Sequence, residues 1–389
     1  MSGGRRSIAL AIAFALVACS PQPSSSPAAS VPAGSSTPVA SPSGETALPP
    51  STLGQGGTID QQFTTPALEY RSTGSLLLWS SAARADHEAN TAPDLYASTA
   101  GGVASLIYDN PNRDSRLELV GGDDQRIVFV EDNARLFGSG AWKMWYLATP
   151  RARPQLIEEG AGKLPFFGIS GSRLVWTEMG GQPARSGLWL LDLDTLDRHL
   201  LESVDAALGQ YWFPSIDGSR IVFGKVERTA DGQGEQRHVF LVDLEGDRTP
   251  RRLDTNEADG DGASQPAISG DTVVWKESSL DESHLVGGRL IRYSLSSGES
   301  SPLTLDPSEP RYTFPSIGGR YVAAWSGYDR ALYLADLTTG DPAKIMDLGP
   351  TEQDPHASVG RIANLRGDLL AYVFGPSEGD LELRWIVLP

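Results

Sequence analysis

An all-β architecture assembled from copies of one four-stranded unit is the fold class this sequence predicts, and three observations predict it. A glycine recurs before an apolar, aromatic-ended run at Gly74, Gly122, Gly171, Gly218, Gly270, Gly319 and Gly367, at intervals of 47 to 52 residues. The runs after these glycines, such as 173–176, 220–223 and 272–275, are apolar on consecutive residues, as in strands covered on both faces. A second apolar run follows in each well-kept copy and ends on an acid or serine followed by leucine, as in 187–193, 238–244, 290–295 and 331–337.

Each unit reads in order as an opening strand with Ile or Leu, a glycine turn, a second strand, a polar loop, a third strand and a brief fourth, such as Arg251 to Leu253. Glycine allows φ > 0 in the first turn. Asp192, Asp243 and Asp336, closing the third strands, are turn formers. A four-stranded sheet covered on both faces and repeated radially is a propeller blade, so seven copies predict a seven-bladed β-propeller over residues 58–389. The last copy stops after a third strand, 381–388, and the segment from Thr58 to Thr65 is placed to supply its outer strand and close the circle.

Ahead of the repeats, residues 1–18 have the layout of a secretory leader: Arg5 and Arg6, an apolar core from Ile8 to Val17, then small residues. That core is too short to span a bilayer. The paired arginines also fit a twin-arginine export signal. Leu16-Val17-Ala18-Cys19 resembles the bacterial lipobox, which implies that Cys19 carries a diacylglycerol and becomes the N-terminus. Cys19 is the single cysteine of the chain, so no disulfide or thiolate metal site competes for it. Residues 19–57 are rich in Ser, Pro, Ala, Thr and Gly and nearly devoid of charge, a tether with an r.m.s. span of about 35 Å. Its serines and threonines beside proline have the composition of glycan acceptors.

The repeats, with PAISGDTVVW (266–275) and LADLTTG (334–340) as their best-kept forms, resemble the TolB-like or PD40-type propeller family, over roughly residues 60–389. That resemblance implies the fold and leaves the activity open, since the family includes envelope scaffolds, surface proteins and propellers fused to peptidases. Its members are often six-bladed, and the copy number here is seven.

The chain carries 32 basic and 49 acidic residues, a formal net charge of −17. This argues against nucleic acid as a partner and against direct adhesion to an anionic membrane, so membrane association is expected through the lipid alone. The expected address is extracytoplasmic, on a bacterial membrane, as a monomer.

Antiparallel strands place the glycine turns on one face and the long, unlike loops on the other. Variable loops on a rigid frame are where binding usually resides. On that face Tyr211-Trp212-Phe213 and Tyr312-Thr313-Phe314 begin two inner strands, with the means to stack a sugar or anchor a peptide. His87, His284 and His356 lie in loops beside acids, as solvated loop residues of the same candidate surface and not as a metal set. Asp254, Asn256, Asp259 and Asp261 have the composition of a calcium loop, but their spacing departs from the EF-hand and no glutamate closes it; an acidic surface turn without a cofactor is expected. Gly375-Pro376-Ser377-Glu378-Gly379 matches a nucleophile elbow in letters only, because it joins two blade strands where that motif needs a strand and a helix. The function expected is a lipid-anchored module binding a protein or glycan of the cell envelope, or scaffolding there. The alternative is a polysaccharide hydrolase or lyase whose acids meet at the channel mouth.

Overall fold

The computed structural model describes residues 55–58, 70–81, 94–112, 115–132, 141–179, 185–228, 234–255, 261–279, 288–306, 311–326, 331–340, 342–347, 363–374 and 382–389. Among them there is no helix.

The strands pair with their sequence neighbours into antiparallel sheets. Tyr70–Ser72, Leu76–Ser81, Asp94–Thr99 and Ser105–Tyr108 form the first sheet. Arg116–Gly122, Ile127–Asp132, Ala141–Leu147 and Gln155–Ala161 form the second. Phe167–Ser170, Arg173–Met179, Arg185–Asp192 and Arg198–Asp205 form the third. The next two repeats are fused: Gly209–Asp217, Arg220–Arg228 and Glu235–Asp243, with Arg251–Arg252 at their edge, meet Asp261–Ser269, Thr272–Ser279, Arg289–Ser294 and Ser300–Leu303 through one parallel pair, Arg237 with Gly262. Thr313–Gly318, Tyr321–Ser326, Ala331–Asp336 and Pro342–Asp347 make another sheet. In the last, Asn364–Arg366, Leu369–Phe374 and Glu382–Val387 are joined by Gln55–Thr58, which pairs antiparallel with Glu382–Val387. The segment expected in that place shares Thr58 with this strand, and its residues 59–65 lie outside the described residues.

In the opening strands Ile169, Ile216, Ile268, Ile317 and Leu365 are buried between neighbouring sheets, and with the residues beside them, such as Gly168, Ser215, Asp217 and Ser269, they border a shared central cavity. Each opening strand packs on the next, and Asn364–Arg366 packs on Tyr70–Ser72. The second strands are covered on both faces; Ile127–Asp132 and Tyr321–Ser326 are buried throughout. Their aromatic ends, Trp79, Phe129, Trp176, Phe223, Trp275 and Trp325, are at most 2% exposed, and each such burial contributes about 2–3 kcal/mol.

The glycine turns are clasped from sheet to sheet. Gly218 N donates to Ser170 Oγ at 3.1 Å, Gly270 N to Asp217 Oδ2 at 2.5 Å and Gly319 N to Ser269 Oγ at 3.1 Å. Arg173 and Arg220 donate to the carbonyl oxygens of Gly218 and Gly270, at 3.0 and 3.3 Å. Six of the seven repeat glycines have positive φ, and Gly122 does not. Gly122 ends a strand, paired with Ile127, and the turn is made by the Asp123 side chain, which accepts the amides of Gln125 and Arg126 at 2.8 and 2.6 Å. The acids ending third strands act as turn formers: Asp192 accepts the amides of Asp194 and Thr195, Asp243 that of Glu245, and Asp336 that of Thr338.

Candidate functional site

The opening strands of three consecutive repeats carry the same defect. Register shifts fall between Trp212 and Ser215, Ser264 and Ala267, and Thr313 and Ser316. In each, the residue before a proline, Phe213, Gln265 or Phe314, has a positive φ, of 48°, 55° and 50°. Proline contributes no amide to the ladder and disfavours the right-handed helical region for the residue before it, so a bulge forms there. A left-handed conformation at a residue with a side chain costs about 1–3 kcal/mol, a strain that clusters at functional sites.

These bulges gather aromatic side chains around one pocket of about 380 Å³, lined by Trp212, Phe213, Phe314, Gln265 and the residues around them. Phe213 and Phe314, from different sheets, meet edge to face with centroids 6.3 Å apart. Phe166 lies 4.3 Å from Phe213 and 5.8 Å from Trp212. Gln265, standing where its neighbours carry phenylalanine, accepts the Phe314 amide at 2.8 Å and the Thr313 hydroxyl at 3.1 Å. Phe166 is held by Thr177, whose amide donates to the Phe166 carbonyl at 2.9 Å and whose hydroxyl oxygen accepts the Phe166 amide at 3.1 Å.

The pocket wall is basic although the chain is acidic. Lys163, Lys225, Arg228, Arg237 and Lys276 line it with one carboxylate, Glu235, among the described lining residues. Glu235 is bound by Arg237 through two hydrogen bonds, of 2.8 and 2.6 Å. Lys225 pairs with Glu227 at 2.6 Å, and the exposed Lys163 ammonium stands 5.7 Å from the Trp212 ring. Such an aromatic floor with a cationic rim offers apolar faces and charge-assisted hydrogen bonds to one ligand.

Of the aromatic residues expected on this surface, Trp212, Phe213 and Phe314 line the pocket, half-buried. Tyr211 and Tyr312 do not belong to it: each is 1% exposed and packs in the core, Tyr211 with Phe223 and Ile216, Tyr312 with Tyr333 and Leu305. Alternation turns Tyr211 away from the side that Trp212 faces, and the bulge between Thr313 and Ser316 separates Tyr312 from Phe314. Burial pushes the Tyr211 phenol well above its ordinary range, and the Glu202 carboxylate adds to the shift. Phe166, Gln265 and the basic rim escaped the sequence reading.

The acidic turn also resolves in part. Asp254 is an anchor within the core, not a loop ligand: its side chain is fully buried and accepts from His238 Nδ1 at 3.0 Å, the Val239 amide at 2.7 Å and Arg252 at 3.0 Å. Asp261 begins a strand, paired with Ser279. Among the described residues no three His, Cys, Asp or Glu side chains group as a metal set. Cys19, His87, His284, His356, Asn256 and Asp259 lie outside the described residues, as does the 375–379 segment.

No family model matches this chain, and no curated protein matches it in sequence. Among solved structures it is similar to an oligogalacturonate lyase in complex with manganese, at 14% identity over 89% of this chain and 94% of that one, with a TM-score of 0.54. It is also similar to the β-propeller domain of the trilobed protease from Pyrococcus furiosus, at 12% identity over 82% of this chain and 94% of that one, with a TM-score of 0.54. TolB from Acinetobacter baumannii is similar at 15% identity over 81% of this chain and 78% of that one, with a TM-score of 0.41. At these identities the first two likenesses concern the fold, and together with the sheet order they define the class: the chain is a β-propeller protein.

Proposed function

We propose that this chain is a lipid-anchored, extracytoplasmic β-propeller of seven blades, closed by its Gln55–Thr58 strand, that binds a protein or glycan of the cell envelope without transforming it. The TolB-like kinship of its repeats belongs to the same reading. The succession of packed opening strands supports the blade count, and the pairing of Gln55–Thr58 with Glu382–Val387 supports the closure.

One observation carries the binding role. The pocket on the loop face joins Trp212, Phe213 and Phe314 to a basic rim, and its single described carboxylate is already paired with Arg237. A glycosidase site needs two carboxyl groups about 5 to 10 Å apart, one free to give or take a proton. An aromatic floor with a basic rim suits a sugar or peptide that carries negative charge.

The test is affinity capture from envelope extract with the full chain and with Trp212→Ala and Phe314→Ala. A protein or glycan enriched by the wild type and lost from both variants is the expected result. The oligogalacturonate lyase likeness supplies the rival reading, a polysaccharide-degrading enzyme. Turnover of an acidic polysaccharide by the purified chain, with no retained partner, would replace the binding role by that one. For the anchor, Cys19→Ser is expected to move the protein from the membrane fraction to the soluble one; unchanged retention would remove the lipid from the reading.

A further inference from the structure

The central cavity bordered by the glycine turns is separate from the aromatic pocket, although the same opening strands feed both. It measures about 380 Å³ and its charged lining residues are Arg71, Arg366 and Asp217. The two arginines come from strands packed on each other, Tyr70–Ser72 and Asn364–Arg366, tied by the Ser72 amide donating to Asn364 Oδ1 at 2.8 Å.

Arg366 is the unusual member. Half-buried in the cavity wall, its guanidinium presents five N–H donors in a fixed fork. Among the described residues none accepts a hydrogen bond from it. Burial pulls its pKa down, while Asp123, Asp217 and Asp124 raise it from a distance. Each of those carboxylates is committed elsewhere: Asp217 to the Gly270 amide, Asp123 to the amides of Gln125 and Arg126, Asp124 to the Ser75 amide and the Thr73 hydroxyl. Arg71 spends one donor on its own neighbour's carbonyl, Tyr70 O, at 3.2 Å. Two guanidiniums thus line one cavity, and neither donates a hydrogen bond to a carboxylate among the described residues.

We propose that this cavity is a binding site for a small oxyanion, a phosphate or carboxylate group, held in bidentate fashion by Arg366 and assisted by Arg71. Fork geometry matches both groups, and the charge-assisted bonds gain strength away from bulk water. This site shares no lining residue with the aromatic pocket.

The experiment is calorimetric titration of the full chain at constant ionic strength with inorganic phosphate and, separately, with succinate. Saturable binding of at least one anion is expected, weakened tenfold or more in Arg366→Gln and to a lesser degree in Arg71→Gln. Arg153→Gln, which removes an exposed guanidinium outside both pockets, is expected to bind as the wild type does. Arg366→Lys keeps the charge without the fork, so a loss there too assigns the bidentate contact. Phosphate alone, or succinate alone, names the group the site takes. Absence of saturable binding by the wild type for both anions overturns the proposal, as does unchanged affinity in folded Arg366→Gln. Should Arg366→Gln fail to fold, the decision passes to Arg71→Gln and Arg366→Lys: wild-type affinity in both overturns it.

Discussion

The side-chain oxygen of Gln265 accepts the backbone amide of Phe314 at 2.8 Å, so a polar residue in one repeat fixes the strained backbone that aims an aromatic residue of the next. Gln265→Leu removes the acceptor and leaves that amide and the Thr313 hydroxyl unmatched. A loss of about 1–3 kcal/mol is expected in denaturant unfolding. Gln265→Glu, which keeps an acceptor, should lose less; equal losses would show that the contact is incidental.

Gly270 and Gly318 separate two reasons for glycine. At Gly270 φ is +55° and an added Cβ meets nothing within 4 Å, so Gly270→Ala should cost only the left-handed penalty of about 1 kcal/mol. At Gly318 φ is not positive, but the Cβ would collide with the backbone of Gly367 in the adjacent sheet. Gly318→Ala is therefore expected to lower the melting temperature more than Gly270→Ala, and the reverse order would refute the packing account.

Acid should act through Asp254. Burial alone raises its pKa, but hydrogen bonds from His238 and the Val239 amide, with the charges of His238 and Arg252, outweigh that and hold the carboxyl below its ordinary value of 3.8. A depressed folded-state pKa gives stability that is present above the unfolded value and lost as pH falls below it. Wild-type stability should thus decline from about pH 4 downward. Asp254→Asn should be less stable at pH 7 and show a shallower decline, read from unfolding curves across pH 2–7.

The Gln55–Thr58 strand covers the edge of Glu382–Val387, with Gly57 opposite Trp385 and Thr58 opposite Arg384. A chain starting after Thr58 leaves that edge open to other molecules. It should melt at a lower temperature and aggregate sooner than one starting at Leu53, with faster hydrogen exchange at Trp385 and Ile386. Indistinguishable melting would argue that the strand is dispensable.

Much of this architecture was legible because burial on both faces leaves consecutive apolar letters, as in Leu188 to Leu191 and Val239 to Val242. Gly122 misled because Asp123 builds the turn from its own side chain, which no glycine count detects. The site was legible only in fragments. Alternation separates Tyr211 from Trp212, but the bulge then places Trp212 and Phe213 on the same pocket, against the period of two. The sequence trace of that event was present in Phe213-Pro214, Gln265-Pro266 and Phe314-Pro315, three prolines in register. Phe166 and the basic rim left no comparable trace, because proximity across sheets has no spacing in sequence.

The clasp between turns gives the units it joins a direction. Ser170, Asp217 and Ser269 each accept the amide of the glycine one unit ahead, so a unit has a leading half and a trailing half that are not interchangeable. A copy arising by duplication inherits both halves and docks at once between its parents. The bulged positions are under no such obligation, and Phe213, Gln265 and Phe314 differ there from unit to unit, so near-identical parts come to hold a pocket of unlike residues.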